Sequence, residues 1–499
     1  MRFRIRGVYI AAVLLFGLLA VGTMRSLRPW FDEAQHGTPA WTLVDKGYMG
    51  TPSLDVGATG MQRIDRYSYW IMPLYPLVQA AWYTVVPFNL SSLRALSVVF
   101  VLVGIACFSY FVRRLTQDRV TAALCFALLS CDYFAITAAG TGRPDGLAFM
   151  FNAASFAAYL HLREQHLLWA LLAGNACAVA SGLTHPNGGM LSVLGLAFLV
   201  LSFDRRRLTL SHLGIVIVPY LVGTLGWGAY ILEDPAAFIS QYAFQTAGRF
   251  GGLIDPFTAV WAETYTRYVN NMGLGRHSEG SVGPHFLKAL VFCAYFVGIG
   301  GILATRELRR TTAAHVLLGI MAMYLCFYTF LEGTKAAYYL IYIICVYSAL
   351  LVVWVRWLWR RRVLPHWAIA LAIAGIMVVQ TGGSVQRMRI DKYQGYARSV
   401  EFLKAHVKPD DLVVGSLEWG FGIGFTDHFL DDTYLGTRSG RVPDYVLMEE
   451  IYRENLRTMR AKSPEDYERV RRRLAEYRVV YSRDFYDILA RQSAATPSP

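Results

Sequence analysis

Arg28-Pro29-Trp30-Phe31-Asp32-Glu33-Ala34-Gln35-His36 follows directly on an apolar run from Val8 to Met24. A run of that length crosses the ~30 Å hydrocarbon core of a bilayer as one helix. Arg2, Arg4 and Arg6 precede it, and basic residues stay on the cytoplasmic side. The N-terminus is therefore expected inside and the quoted loop outside. The run is long for a signal peptide and no small-x-small cleavage site precedes the loop, so it reads as an uncleaved first span. Asp32 and Glu33 then stand close to its outer end. Carboxylates beside a low-dielectric slab are costly unless paired or employed, which makes them the first functional candidates.

The chain has 499 residues, of which 55% are hydrophobic and 17% charged. Its mean hydropathy is +0.35, and together these values mark a polytopic membrane protein. The net charge of +13 sits in short clusters between apolar runs, the pattern of cytoplasmic loops rather than of a nucleic-acid surface. All seven cysteines lie in apolar segments and read as small core residues, with no disulfide framework in the polar tail.

Further spans are expected near Leu93–Phe111, Ala122–Ala139, Gly146–Leu162, Leu167–Leu183, Gly189–Phe203 and Leu213–Leu232. Others follow near Phe286–Ala304, Ala314–Leu331, Ala337–Val355 and Trp367–Thr381, which makes eleven with the first. In the first outer loop, Ala34–Gly47 and Ile71–Val86 read as short interfacial helices, with Trp41, Trp70, Tyr75, Trp82 and Tyr83 suited to the membrane surface. The expected class is thus mainly α, a membrane domain over residues 1–383. A small soluble α/β domain follows over 384–499, outside the membrane because the number of crossings is odd. In that tail Asp411–Gly415 and Arg478–Tyr481 read as strands, Val400–His406 as helix and Pro443–Arg473 as largely helical. Ala494–Pro499 is expected to lack structure. Gly420-Phe421-Gly422-Ile423-Gly424 lacks the full nucleotide-loop pattern and reads as a turn.

The basic clusters Arg113-Arg114, Arg205 to Arg207, Arg306 to Arg310 and Arg356 to Arg362 fall on the side of the N-terminus. The loops holding Asp32-Glu33, Arg143-Pro144-Asp145, His185-Pro186-Asn187, residues 233–284 and Glu332 to Lys335 fall on the other. Asp32 and Glu33 suit two tasks, capping the next helix or removing a proton from an acceptor hydroxyl, one per residue if both apply. Pro144-Asp145-Gly146 is a good turn, and Asp145 also sets a second carboxylate across from Asp32. Lys335, Tyr338 and Tyr339 read as interfacial anchors or as a cation and phenols for a phosphate. Arg143, Arg249, Arg267, Arg276 and His277 are further cations for that role. The glycines around Arg249 and Arg276 point to a lid. His185 reads first as structural, and His36 stands three residues after Glu33, a spacing that suits a shared metal but lacks further ligands.

These motifs, in this order and on this side, resemble the GT-C glycosyltransferases, especially the bacterial relatives of protein O-mannosyltransferases and of the lipid A aminoarabinose transferase. The resemblance rests on Asp32-Glu33 after the first span, interfacial helices, Arg143-x-Asp145 after the third span and Lys335-x-x-Tyr338-Tyr339 before a late one. It covers about residues 1–385; Thr184-His185-Pro186 stands where some relatives have Lys-Gly. It implies a polyprenyl-phosphate-linked sugar as donor and a lipid, glycan or protein acceptor in the cell envelope, at the periplasmic face of a bacterial inner membrane. Transfer would be inverting, with Asp32 as base, Asp145 assisting and Lys335 with a nearby arginine on the departing phosphate. No cofactor is required, and a divalent metal is left open. A flippase for a lipid-linked sugar would favour charges near the midplane and repeated halves, neither of which is visible. A scaffold acting through its tail leaves the outer-face charges unexplained, and a polysaccharide ligase is the nearest chemical neighbour.

Overall fold

The structure is a computed structural model that describes residues 2–246, 255–270, 285–390 and 392–492. A helix lies at each of the eleven expected spans. Among the described residues, however, eight are long and apolar enough to cross a membrane, and a bent pair makes a ninth. The expected count of eleven is therefore not reached. Ala289–Ala304 is short, and Asp145–Leu162 carries Asp145, Asn152 and His161, which lower its hydropathy. The bent pair, Arg119–Cys131 and Tyr133–Ala139, turns by 62° where a single span was expected. Asp132 sits at the break, and its Oδ1 accepts the amides of Phe134 and Ala135, capping the second piece. Tyr295 and Gln380 from two other helices donate to its other oxygen.

Leu340–Arg361 is buried along nearly its whole length, as its apolar character on every side requires, and the other helices pack round it. Leu167–Thr184 and Pro186–Asp204 form a tight hairpin in which any side chain on Gly189 would run into the backbone of Gly182. Cys125, Cys131 and Cys345 are core residues as expected, whereas Cys293 and Cys326 lie on exposed faces.

The first loop folds into Phe31–Lys46 and Leu74–Tyr83, close to the expected pair of helices. Its rings do not all serve a surface: Tyr75 and Tyr83 are buried, and Trp70 stacks on His36. The tail forms a five-stranded sheet in the order Phe429–Leu430, Val413–Val414, Tyr445–Met448, Tyr486–Arg491, Tyr477–Arg483. The first two pairings are parallel and the last two antiparallel. Tyr445–Met448, expected as helix, is a strand whose Val446, Leu447 and Met448 are buried, and the helices begin only at Glu450. Gly420–Ile423 is a helical turn ending at Gly424, whose φ of 96° suits a glycine.

Loop and tail share one apolar core. Ala34, Leu54, Met61 and Ile64 pack with Tyr396, Leu403, Leu417 and Trp419. Leu54 also pairs with Asp431 as a parallel bridge, and Arg28 reaches Glu450 at 2.7 Å. Near this seam, burial and the neighbouring Glu449 carboxylate push Glu418 up to about 8. Between the ordinary carboxylate range and that value the folded chain keeps a proton the unfolded chain has lost, so stability falls as pH rises through the window. Glu418→Gln, neutral at every pH, is expected to gain stability over the wild type from pH 5 to pH 8. Thermal unfolding in detergent at the two pH values measures this, and an unchanged difference would contradict it.

A buried ion pair fixes where the first loop begins. Arg94 and Glu33 are both fully buried and doubly bonded, at 2.7 Å and 2.6 Å. The remaining guanidinium donors bind the carbonyls of Met24, Leu27 and Arg28, which end the first helix. Glu33 also accepts the amides of Trp30, at 3.0 Å, and Gly142, at 2.6 Å. Arg94→Ala would strand a buried carboxylate and free three carbonyls, at a cost of ~3–5 kcal/mol. A clear drop in melting temperature is expected, and a variant as stable as the wild type would remove this pair from its organising role.

Candidate active site

Four loops and the end of the helix Pro235–Thr246, with Tyr242 and Gln245, meet at the end of the bundle that the tail covers and enclose a cavity of about 480 Å³. Phe31–Lys46 contributes Asp32 and His36, the turn before Asp145–Leu162 contributes Arg143, and the Gly182–Gly189 hairpin contributes His185 and Asn187. Glu332, Tyr338 and Tyr339 come from the connection between Thr312–Phe330 and Leu340–Arg361. Away from this cavity, Arg356, Arg360 and Arg361 line a separate cleft with Asp118 and Glu307.

The adjacent acids stand in different surroundings. Glu33 caps the loop helix and holds Arg94, and it is absent from the cavity wall. Asp32, one residue earlier on the same helix, lines the cavity and pairs with Arg143. Arg143 Nε donates to Asp145 at 2.8 Å, so one guanidinium joins the two carboxylates. The Arg143 Cζ lies 4.7 Å from the Trp30 ring centre and 3.9 Å from that of Tyr338, cation–π contacts that hold it in place. Arg143 is 4% exposed, too buried to be a snorkelling turn residue.

Lys335 does not reach the cavity wall. Its ammonium donates to the carbonyls of Tyr328 and Thr329 and lies 3.3 Å from Glu263, and its backbone takes a φ of 52°. Burial lowers its pKa, and Glu263 acts against that. Arg267 is likewise enclosed: it binds Glu263 at 2.7 Å, Ala336 O at 2.7 Å and Glu332, with Tyr328 beneath it. Among the described residues lining the cavity, Arg143 is thus the one arginine or lysine. Arg249, Arg276 and His277, and the glycines expected to form a lid, lie outside the described residues.

His185 Nδ1 accepts the Asn187 amide as an N-cap, and Nε2 lies 3.4 Å from the Tyr339 hydroxyl. Both structural and cavity-facing readings apply to it. Several polar atoms round the cavity are buried and take no hydrogen bond among the described residues: His36 Nδ1, Trp70 Nε1, Asp145 Oδ1 and Asn187 Nδ2. Buried polar groups are ordinarily satisfied, so such a cluster suits a polar ligand. Among the described residues no three His, Cys, Asp or Glu side chains come together as metal ligands. Glu33 is turned to Arg94, away from any metal shared with His36, and a guanidinium already joins Asp32 to Asp145.

Arg94, Trp30, Glu332 and Glu263 carry much of this arrangement, and the sequence reading named none of them as a site residue. Arg94 was hidden at the edge of an apolar run, where one arginine signals only a helix end. The local signal was its pairing potential with Glu33, which no spacing reveals.

The multi-helix membrane bundle with its small sheet domain shares the GT-C fold of the solved glycosyltransferase structures it is similar to. The family model described as dolichyl-phosphate-mannose-protein mannosyltransferase matches residues 30–226, which include Asp32, Arg143, Asp145 and His185. The chain is similar in structure to ArnT from Cupriavidus metallidurans bound to undecaprenyl phosphate, with a TM-score of 0.63, 16% identity and 98% of each chain covered. It is also similar to the Archaeoglobus fulgidus oligosaccharyltransferase in complex with Zn and sulfate, at TM-score 0.56 and 12% identity, covering 94% of this chain and 71% of that one. The same archaeal enzyme, AglB, with an inhibitory peptide and a dolichol-phosphate matches at TM-score 0.52 and 12% identity, covering 88% and 69%. No curated protein matches the chain. The resemblance drawn from the motifs and the fold of these structures agree.

Burial lowers the pKa of His36 to about 4, against a smaller opposite effect of Asp145. The unfolded chain binds this proton near pH 6.5, so stability is lost as pH falls from 6.5 towards 4, by roughly 3 kcal/mol. His36→Phe, which keeps a ring against Trp70, is expected to remove that part of the acid sensitivity. Melting temperatures of both proteins between pH 4 and 7 check it, and parallel curves would show that His36 is not the group.

Proposed function

We propose that this protein transfers a sugar from a polyprenyl-phosphate-linked donor to an envelope acceptor at the periplasmic face of a bacterial inner membrane, with inversion. The observation that carries the reading is Asp32 set against Arg143 on the wall of one cavity, in a fold whose solved relatives are seen with lipid phosphates. The chemistry follows from the charges. Asp32 removes the proton of an acceptor hydroxyl, and the oxygen attacks the anomeric carbon opposite the phosphate. The bond from that carbon to the phosphate oxygen breaks, its electron pair stays with the lipid phosphate, and the anomeric configuration inverts. A phosphate needs no general acid to leave. Its new charge is met by Arg143, with the Tyr338 and Tyr339 phenols as further donors.

Asp145 is a positioning residue that holds Arg143, and Glu33 and Arg94 position the start of the loop helix. Lys335 and Arg267 are assigned to the support beneath Tyr328 and not to the phosphate, because their donors are spent on carbonyls and carboxylates. Arg249 and Arg276 stay candidates for the donor phosphate. His36 and His185 shape the acceptor side. The proposal requires no cofactor and routes no step through a metal. The soluble domain, residues 384–499, packs on the first loop that carries Asp32.

The deciding experiment is transfer of labelled sugar from a polyprenyl-phosphate donor to an envelope extract by the purified protein. Asp32→Asn is expected to lower the rate by about 10²–10⁴ while donor still binds, the range of a lost general base. Transfer at the wild-type rate would return Asp32 to a structural role. Lipid-linked sugar crossing vesicles without any transfer would favour a flippase.

A further inference from the structure

We propose that Arg143 is a counter-ion shared between Asp32 and the lipid phosphate, so that protonation of Asp32 and binding of the phosphate form one linked equilibrium. This rests on the transferase reading and deepens it. The basis is how the guanidinium is spent. Nε is bonded to Asp145, Nη1 stands against Asp32 as an ion pair but makes no aligned hydrogen bond, and Arg143 lines the cavity. The Trp30 and Tyr338 rings hold the group where it stands. Lys335 and Arg267 are engaged elsewhere. An anion entering the cavity therefore meets one described cation, and two carboxylates already share it.

The charge balance of the reaction explains what sharing achieves. Before transfer, Asp32 is an anion and the donor is a phosphodiester with one negative charge. Afterwards Asp32 has gained the acceptor proton and is neutral, and the lipid phosphate is a monoester with two. The charge facing Arg143 is the same at both ends, so the guanidinium stays in place while its strongest partner changes from carboxylate to phosphate. Preorganised charge that need not move is the arrangement that favours a transition state. The same arrangement sets a rule for the product: a lipid phosphate dianion binds best when Asp32 carries a proton.

Other titratable groups face the same space and must be separated from Asp32. His36 lies on its own helix, His185 on the hairpin, and Glu332, Tyr338 and Tyr339 on the connection opposite. Asp145 lies behind Arg143. Tyr69 and Tyr75 are phenols that burial pushes up, so they remain protonated near neutrality.

The test is calorimetric binding of undecaprenyl phosphate to the full-length protein in detergent, at one neutral pH, in two buffers of different ionisation heat. The wild type is expected to take up protons on binding. Asp32→Asn, which mimics the protonated acid, is expected to bind about tenfold more tightly and to take up correspondingly fewer, as removal of one nearby charge predicts. Repeating both titrations well above the second ionisation of the phosphate, where the lipid already carries two charges, separates uptake at Asp32 from protons exchanged by the phosphate itself. Arg143→Lys, which keeps the charge but not the fork, is expected to bind more weakly and to narrow the difference that Asp32→Asn makes. Equal affinity and equal uptake in wild type and Asp32→Asn overturn the proposal, as does uptake that persists undiminished in the variant. Linkage without any sugar transfer would instead sink the transferase reading and leave the linkage standing.

Discussion

The buried pair of Arg94 and Glu33 is the interaction on which the site depends. A guanidinium with all its donors filled joins the end of the first helix, the start of the loop helix and, through Glu33, the turn at Gly142. Two charges in a dry interior are tolerable only with geometry of this quality. The result is directional. With Glu33 held inward, the preceding residue on the helix must point elsewhere, and Asp32 points into the cavity. Gly142, fixed by the same carboxylate, begins the turn that delivers Arg143.

From that anchor the cavity follows as a layered arrangement of charges. Asp32, Arg143 and Asp145 form one chain, closed by aromatic faces. Glu263, Arg267, Glu332 and Lys335 form a second, whose members satisfy one another and the carbonyls around Tyr328. The two differ in where they stand: Asp32 and Arg143 of the first line the cavity, whereas of the second only Glu332 does so among the described residues.

The tail is part of this economy of burial and not an appendage. Its apolar core is completed by Ala34, Leu54, Met61 and Ile64 of the first loop, so the loop that carries Asp32 is pinned from both sides. Arg94 holds it to the membrane helices and the sheet domain holds it from above. A loop of that length without such contacts would carry unsatisfied backbone and move freely.

The membrane class, the helix positions and the GT-C resemblance were all legible in the sequence. They depend on hydropathy and on the order of short motifs, which are local properties. So were Asp32, Arg143 and Asp145 as candidates, because acids and turns at a span's end are conspicuous. The different surroundings of Asp32 and Glu33 were not, since adjacent residues on a helix differ in direction by about 100° and only the partner decides which one is buried. Likewise Lys335 looked like a phosphate ligand because the carbonyls of Tyr328 and Thr329 that bind it follow from how the chain turns. The break at Asp132 and the strand at Tyr445–Met448 belong to the same group: each is set by partners tens to hundreds of residues away. Local pattern determines where a helix can form; which charge meets which is decided only when distant segments are packed together.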